Sequence, residues 1–194
     1  LMADLGADVI KIEPPGGQET REVGPFLDDQ AGPERSLYFW HYNTSKRGVT
    51  LDITKPEGQE VFRKLAATAG LVLESFPAGY LPGLGLSYDS LSADNPGLIM
   101  CSVTPFGQDG PWRDYLTSDL LHLAAGGQMA SSGYDVEDVP DAPPIAPGGG
   151  NAWHIASHYA YIGIMGALYH RDFTGEGQYI DVSVHEACSL TTEG

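Results

Sequence analysis

Residues 151–184, NAWHIASHYAYIGIMGALYHRDFTGEGQYIDVSV, decide how this chain folds. From Trp153 to Tyr169 the run is apolar and almost uncharged. Ala156, Ala160, Gly163, Gly166 and Ala167 recur at three- and four-residue steps, which on a helix leaves one face thin enough for another backbone to approach. His170, Arg171 and Asp172 end the apolar run, the TGEG segment at 174–177 reads as a glycine turn, and Tyr179 to Ser183 resumes as a strand rich in β-favouring residues. The segment therefore predicts a buried helix, a tight turn and a core strand. PPIAPGGG at 143–150 precedes it, a loop whose glycines let backbone come close to a ligand and which reads as lid-like.

Upstream, the pattern repeats. DVIKIE (8–13) reads as a strand stopped by PPGG, because proline cannot continue a ladder. Residues 16–36 form a polar excursion, and Leu37 to Tyr42 is an aromatic cluster for core or partner packing. Gly48 to Ile53 reads as a second strand. A helix starts at Lys55, Pro56 and Glu57, carries Val61, Phe62, Leu65 and Ala66 at helical spacing through Ala69, and closes at Gly70. Leu71 to Leu73 is a third strand, with short helices near Ala78–Leu84 and Tyr88–Ala93. Then come strand Leu98–Val103, a glycine-proline loop from Thr104 to Pro111, and helix Thr117–Ala125. Asp135, Glu137, Asp138 and Asp141 mark an exposed loop. Leu1 to Gly6 reads as the tail of a helix and Glu186 to Gly194 as the opening of another, so a fragment cut within structured elements is expected. Alternating strands and helices specify an α/β domain with a parallel sheet, whose ligands bind beyond the carboxyl ends of the strands.

Composition narrows function. With 194 residues the chain can bury a core, and a net charge of -16 opposes binding to nucleic acid or to anionic membranes, which need a basic surface. It does not forbid a small polyanion held by backbone amides and helix N-termini. No apolar run is long enough to cross a bilayer. The two cysteines, Cys101 and Cys188, lack metal spacing and read as buried thiols of a reduced, cytoplasmic protein.

Three segments carry a family resemblance: LMADLGADVIKIEPPGG (1–17), the stretch from NTSKRGVTLDITKPEG through IMCSVTPFGQDGP (43–111), and GIMGALYHRDFTGEGQYIDVSVHEA (163–187). In order and spacing they closely resemble the family III CoA-transferases, the CaiB/BaiF group, over nearly the whole chain. The resemblance implies transfer of coenzyme A between an acyl-CoA donor and a carboxylic acid, with CoA thioesters as substrates and no metal. It implies a Rossmann-like large domain, here residues 1–194, without the smaller domain that usually follows. It also implies two interlocked subunits, either a homodimer or a heterodimer with a paralogue.

In the family an aspartate about ten residues before the GI(L/M) step of the long helix takes the acyl group, as a carboxylate nucleophile. Here that position falls on Trp153, or by one shift on Ala152, so a non-catalytic partner subunit is the alternative. The related racemases place a histidine just before the Asp119 position, where this chain has Ser118. The coenzyme-binding segments match Leu51, Asp52, Ile53 and Thr54, and Ser75, Phe76, Pro77 and Gly79. Three phosphate-meeting positions of the family are Pro14, Gly83 and Leu116, leaving Lys46, Arg47 or Arg113 to compensate.

Residue by residue, two readings stand side by side. His154 is an acid or base with Asn151 as oxyanion donor, or Asn151 caps the helix with His154 in its first turn. His154 and His158 share a helix face, as a metal pair would, without an evident third ligand. Asp52 bonds a ribose hydroxyl or caps the turn before Pro56, and Phe76 stacks on adenine or simply packs.

Overall fold

The computed structural model describes residues 1–134 and 137–192. The expected acidic residue Asp135 and the last two residues of the expected C-terminal helix lie outside the described residues. The chain divides into two compact units, Leu1–Phe62 and Arg63–Gly194.

The N-terminal unit contains β1 (Val9–Glu13) and β2 (Lys46–Thr50), paired parallel with Val9 opposite Lys46 and Glu13 opposite Thr50. Between them lie two 3₁₀ turns and α1 (Leu37–Tyr42), whose N-cap Ser36 accepts the Phe39 N–H at 3.0 Å. The expected strand at 48–53 is thus shifted: pairing starts two residues earlier, and Leu51 to Ile53 leave the ladder. Leu1 to Gly6 is a run of turns, not the end of a helix. The aromatic cluster is the helix α1, but only Phe39 is buried, beneath Arg21, whose guanidinium carbon lies 3.8 Å from the ring centroid. Arg21 also makes two bonds to the buried Glu13 carboxylate, at 2.7 and 2.8 Å, and ties the polar excursion to the end of β1. The division between units falls within α2 (Pro56–Ala66).

The C-terminal unit holds a three-stranded parallel sheet in the order β3 (Leu71–Glu74), β4 (Ile99–Thr104), β5 (Tyr179–Ser183). Among the described residues the strands therefore form two parallel sheets. The central strand β4 is buried except at Val103, as a strand covered on both faces must be. Short helices α3 (Tyr80–Gly83) and α4 (Tyr88–Ser92) lead from β3 to β4, and α5 (Asp119–Ala125) follows β4. The long α6 (Asn151–Thr174) runs into β5, and α7 (Val184–Leu190) starts directly from it.

Ala152, Ala156, Ala160, Ile164 and Ala167 form the buried face of α6, so the small-residue stripe packs as expected. Gly163 brings the helix within van der Waals contact of Ile180 on β5, since a Cβ there would lie 3.4 Å from its Cγ2. Gly166, however, is exposed, and so are Ile162, Met165, Tyr169 and Phe173. The helix is covered on one face only, because the sheet of this chain offers one surface to it. Gly175 in a left-handed conformation ends it at φ 77°, and Gly177 is required by crowding: a Cβ would sit 1.9 Å from the Leu98 carbonyl oxygen. Arg171 donates to the Gly70 and Gly97 carbonyls at 2.8 and 3.2 Å, joining the helix end to two turns. Both cysteines are free and buried. No helix of the described residues is long and apolar enough to cross a membrane.

Candidate functional site

In the C-terminal unit, the carboxyl ends of β4 and β5 and the first turns of α5, α6 and α7 supply the polar groups. Two clefts open in this unit. One, of about 380 Å³, is lined by Phe106, Trp112, Asp181, Ser183 and His185 among others. The other, of about 260 Å³, is lined by Glu74, Tyr88, Met100, Ser102, Gln108 and Tyr179.

Gln108 links the strand ends: its amide N–H reaches Asp181 Oδ2 at 2.8 Å and its side-chain oxygen accepts the Gly79 N–H at 3.0 Å. Burial raises the Glu74 and Asp181 carboxyls above their usual range, since a charge away from water is disfavoured. The Tyr179 hydroxyl donates to Ser102 Oγ at 3.0 Å. Burial also pushes the Cys101 thiol up to about 12, which leaves it protonated and inert.

His122, in the middle of α5, is fully buried with Nε2 2.7 Å from Thr117 Oγ1 and Nδ1 unpartnered. Burial, with His185 as the next cause, lowers it from 6.5 to about 4, so it is neutral at neutral pH. Its ring meets Trp153 at 5.4 Å, Phe106 at 5.2 Å and His185 at 6.2 Å. Neither histidine was singled out by sequence reasoning. The available signal was a lone His within the apolar run DLLHLAA, which alone more often means a packed residue.

The position expected for the acyl-accepting aspartate is the first turn of α6. Ala152 is fully buried and Trp153 is 38% exposed, with its indole edge-on to His122. Asn151 is the first helical residue, so it does not cap the helix. Gly150 holds the cap position, left-handed at φ 74°, and contributes no side-chain bond. A side chain from another helix takes that role: Asp119 Oδ1 accepts the Ala152 N–H at 2.8 Å. An acidic group therefore does stand beside the glycine run. His154 lies half-buried in the first turn, its N–H on the Gly150 carbonyl at 3.2 Å, and its own carbonyl meets His158 Nδ1 at 2.7 Å. That contact occupies one nitrogen of the would-be metal pair, and no group of three potential metal ligands exists among the described residues.

Leu51 to Thr54 lie in the N-terminal unit, just beyond β2, with the Leu51 N–H on the Glu13 carbonyl at 2.8 Å. Ile53 is buried, and Asp52 Oδ1 accepts the Thr54 N–H at 3.0 Å in a local turn. Bonds from the Thr54 hydroxyl and amide hold the Asp52 carboxyl below its usual range. Ser75, Phe76 and Pro77 lie in the C-terminal unit, exposed beyond β3, with Phe76 stacked on Tyr80 at 4.7 Å. Of the expected compensating cations, Lys46 donates to the Tyr42 carbonyl at 2.8 Å and Arg47 forms a forked pair with Asp8 at 2.9 and 2.6 Å. Arg113 instead reaches the segment after β3: its guanidinium lies 3.4 Å from the Ala78 carbonyl and directly over Gly79.

The profile of CoA-transferase family III matches residues 1–194, and the chain belongs to that family. It is similar to the succinyl-CoA:(R)-benzylsuccinate CoA-transferase subunit BbsE of Thauera aromatica, with 44% identity over 193 residues, 100% of this chain and 46% of that protein. The succinyl-CoA–L-malate CoA-transferase beta subunit of Chloroflexus aurantiacus is 38% identical over 189 residues, 96% of this chain and 44% of that one. Among solved structures, a CaiB/BaiF family protein from Brucella suis superposes with a TM-score of 0.89 at 40% identity, covering 99% of this chain and 50% of that one. The chain thus spans about half the length of the curated relatives it matches.

Proposed function

We propose that this chain is part of the large domain of a CoA-transferase subunit that handles CoA thioesters but lacks the acyl-accepting carboxylate. It would act in an interlocked heterodimer with a paralogous subunit that supplies that group. What supports this reading is the count along α6: the place where the resemblance puts the aspartate falls on Trp153, or by one shift on Ala152, and the Trp153 indole packs on His122. In that chemistry the carboxylate attacks the thioester carbonyl, CoA leaves as thiolate, and the resulting anhydride is reopened by the thiolate to give an enzyme-bound CoA thioester and the free donor acid. The acceptor carboxylate then takes the same path in reverse. An indole can perform none of these attacks.

In this reading Leu51 to Thr54 and Ser75 to Pro77 contact the coenzyme, and Arg113 over Gly79 supplies a phosphate contact of roughly 1.5–3 kcal/mol. Two relatives named as subunits, one of them acting on benzylsuccinate, support a hetero-oligomer. A cytoplasmic location fits this reading, since CoA thioesters are its proposed substrates.

Asp119 favours a second reading, in which its carboxylate at the glycine run is itself the nucleophile. The two are separated by incubating the purified full-length protein with succinyl-CoA, alone and with a catalytic paralogue, and trapping covalent adducts. Adduct and turnover only in the mixture, carried on the paralogue, support the partner subunit. An adduct on Asp119 of the protein alone supports the second reading.

A further inference from the structure

Building on the CoA-transfer reading, we propose that the cleft bounded by Phe106, Trp112 and His185 receives an uncharged aryl end of the acyl group. Three rings meet there at steep angles. Phe106 and Trp112 stand 5.9 Å apart at 81°, Trp112 and His185 5.4 Å apart at 63°, and Phe106 and His185 5.7 Å apart at 50°. They form a corner in which an inserted ring makes edge-to-face and offset contacts with each wall. The volume, about 380 Å³, suits a phenyl group with a short tether. Trp112 is 48% exposed on a loop although it is large and apolar, so one side of its ring lacks a protein partner. At the floor, Gly107 keeps the space open: a Cβ there would approach Asp181 Oδ2 to 3.4 Å at φ +87°.

The charges decide between acyl ends. Asp109, Asp181 and Glu186 line the same cleft, and no lysine or arginine is among its lining residues. A second carboxylate, such as that of a succinyl group, meets repulsion at this place, whereas an aryl group meets none. Through His122 the ring cluster continues to Trp153 in the first turn of α6.

The test is equilibrium binding of 3-phenylpropanoyl-CoA, hexanoyl-CoA, succinyl-CoA and free CoA to the full-length protein, with 3-phenylpropan-1-ol as a neutral probe without CoA. The phenylpropanoyl thioester is expected to bind roughly tenfold more tightly than the succinyl thioester, with hexanoyl-CoA between them. Trp112→Ala should bring the phenylpropanoyl thioester within about twofold of hexanoyl-CoA, keep succinyl-CoA the weakest of the three, and leave free CoA affinity unchanged. Phe106→Leu, which keeps apolar volume, should lose the aryl preference over hexanoyl-CoA. Equal affinities in the wild type, or an aryl preference that survives Trp112→Ala, overturn the proposal. If phenylpropanol binds in a Trp112-dependent way while free CoA does not bind, the aryl cleft stands and the CoA-transfer reading fails.

Discussion

Replacing Asp119 by alanine removes the acceptor at the head of the longest helix. The Ala152 N–H loses its 2.8 Å bond, and α6 has no cap of its own to take over, since Gly150 offers no side chain. Loss of a capping oxygen costs about 1 kcal/mol, with a range of roughly 0.5–2. A carboxylate near a helix N-terminus adds about 0.3–1 kcal/mol through the aligned peptide dipoles. Asp119 serves two helices in this way, because it also stands in the first turn of α5. The sum for Asp119→Ala is about 2 kcal/mol. Asp119→Asn keeps an oxygen at the same place and loses only the charge, so it should cost no more than about 1 kcal/mol. Urea denaturation of the full-length protein reads both, with an unchanged slope and a shifted midpoint. If Asn costs as much as Ala, or if Ala costs nothing, the capping role is wrong.

His122 supplies a pH test. It is ordinarily near 6.5 and is held near 4 when folded, so it is neutral in the native state. Between those values the unfolded chain binds a proton that the folded one refuses, and stability falls as pH drops through the window, by at most about 3 kcal/mol. His122→Gln should flatten that fall in urea titrations between pH 7 and 4. Glu13 gives the opposite kind of group: its carboxyl lies below its usual range because Arg21 bonds it. Its contribution is present above the usual carboxylate pKa and lost as pH falls through the lowered one. Arg21→Gln leaves the buried Glu13 uncompensated and should destabilise the N-terminal unit by roughly 3–5 kcal/mol, read by hydrogen exchange of β1 and β2. Arg171→Ala should cost about 2 kcal/mol through its two carbonyl bonds, without altering CoA affinity.

The strands were legible where apolar runs met glycine or proline. Leu98–Val103 and Tyr179–Ser183 were read within a residue of β4 and β5, because both are β-favouring runs with clear stops, although only β4 is a core strand and β5, expected to be one, is buried only at Val182 and Ser183. Gly48–Ile53 was misplaced, since β2 is KRGVT, a mostly exposed and polar segment whose ladder with β1 no periodicity announces. The long helix was legible from its alanines, but its half-exposed state was not: Ile162, Met165, Tyr169 and Phe173 look like core residues in a string of letters.

At the site, the place expected for the aspartate, Trp153 or Ala152, rests on a count along one helix, where spacing is local. The Asp119 contact could not, since it joins residues 33 apart in the chain through the packing of α5 and α6. For the same reason a cap was one of the two readings of Asn151, which the structure places inside the helix. Nothing local to the sequence indicates that Gly150 takes the cap position or that a carboxylate arrives from another helix.

The central claim is that a CoA-transferase scaffold carries an indole in place of its acyl acceptor. It is tested most directly by Trp153→Asp. Full-length protein and variant are incubated with succinyl-CoA and no partner subunit, and the intact masses are compared before and after hydroxylamine. The account predicts no adduct on the wild type and a hydroxylamine-sensitive CoA adduct at residue 153 of the variant. A CoA adduct on the unaltered protein alone would contradict it.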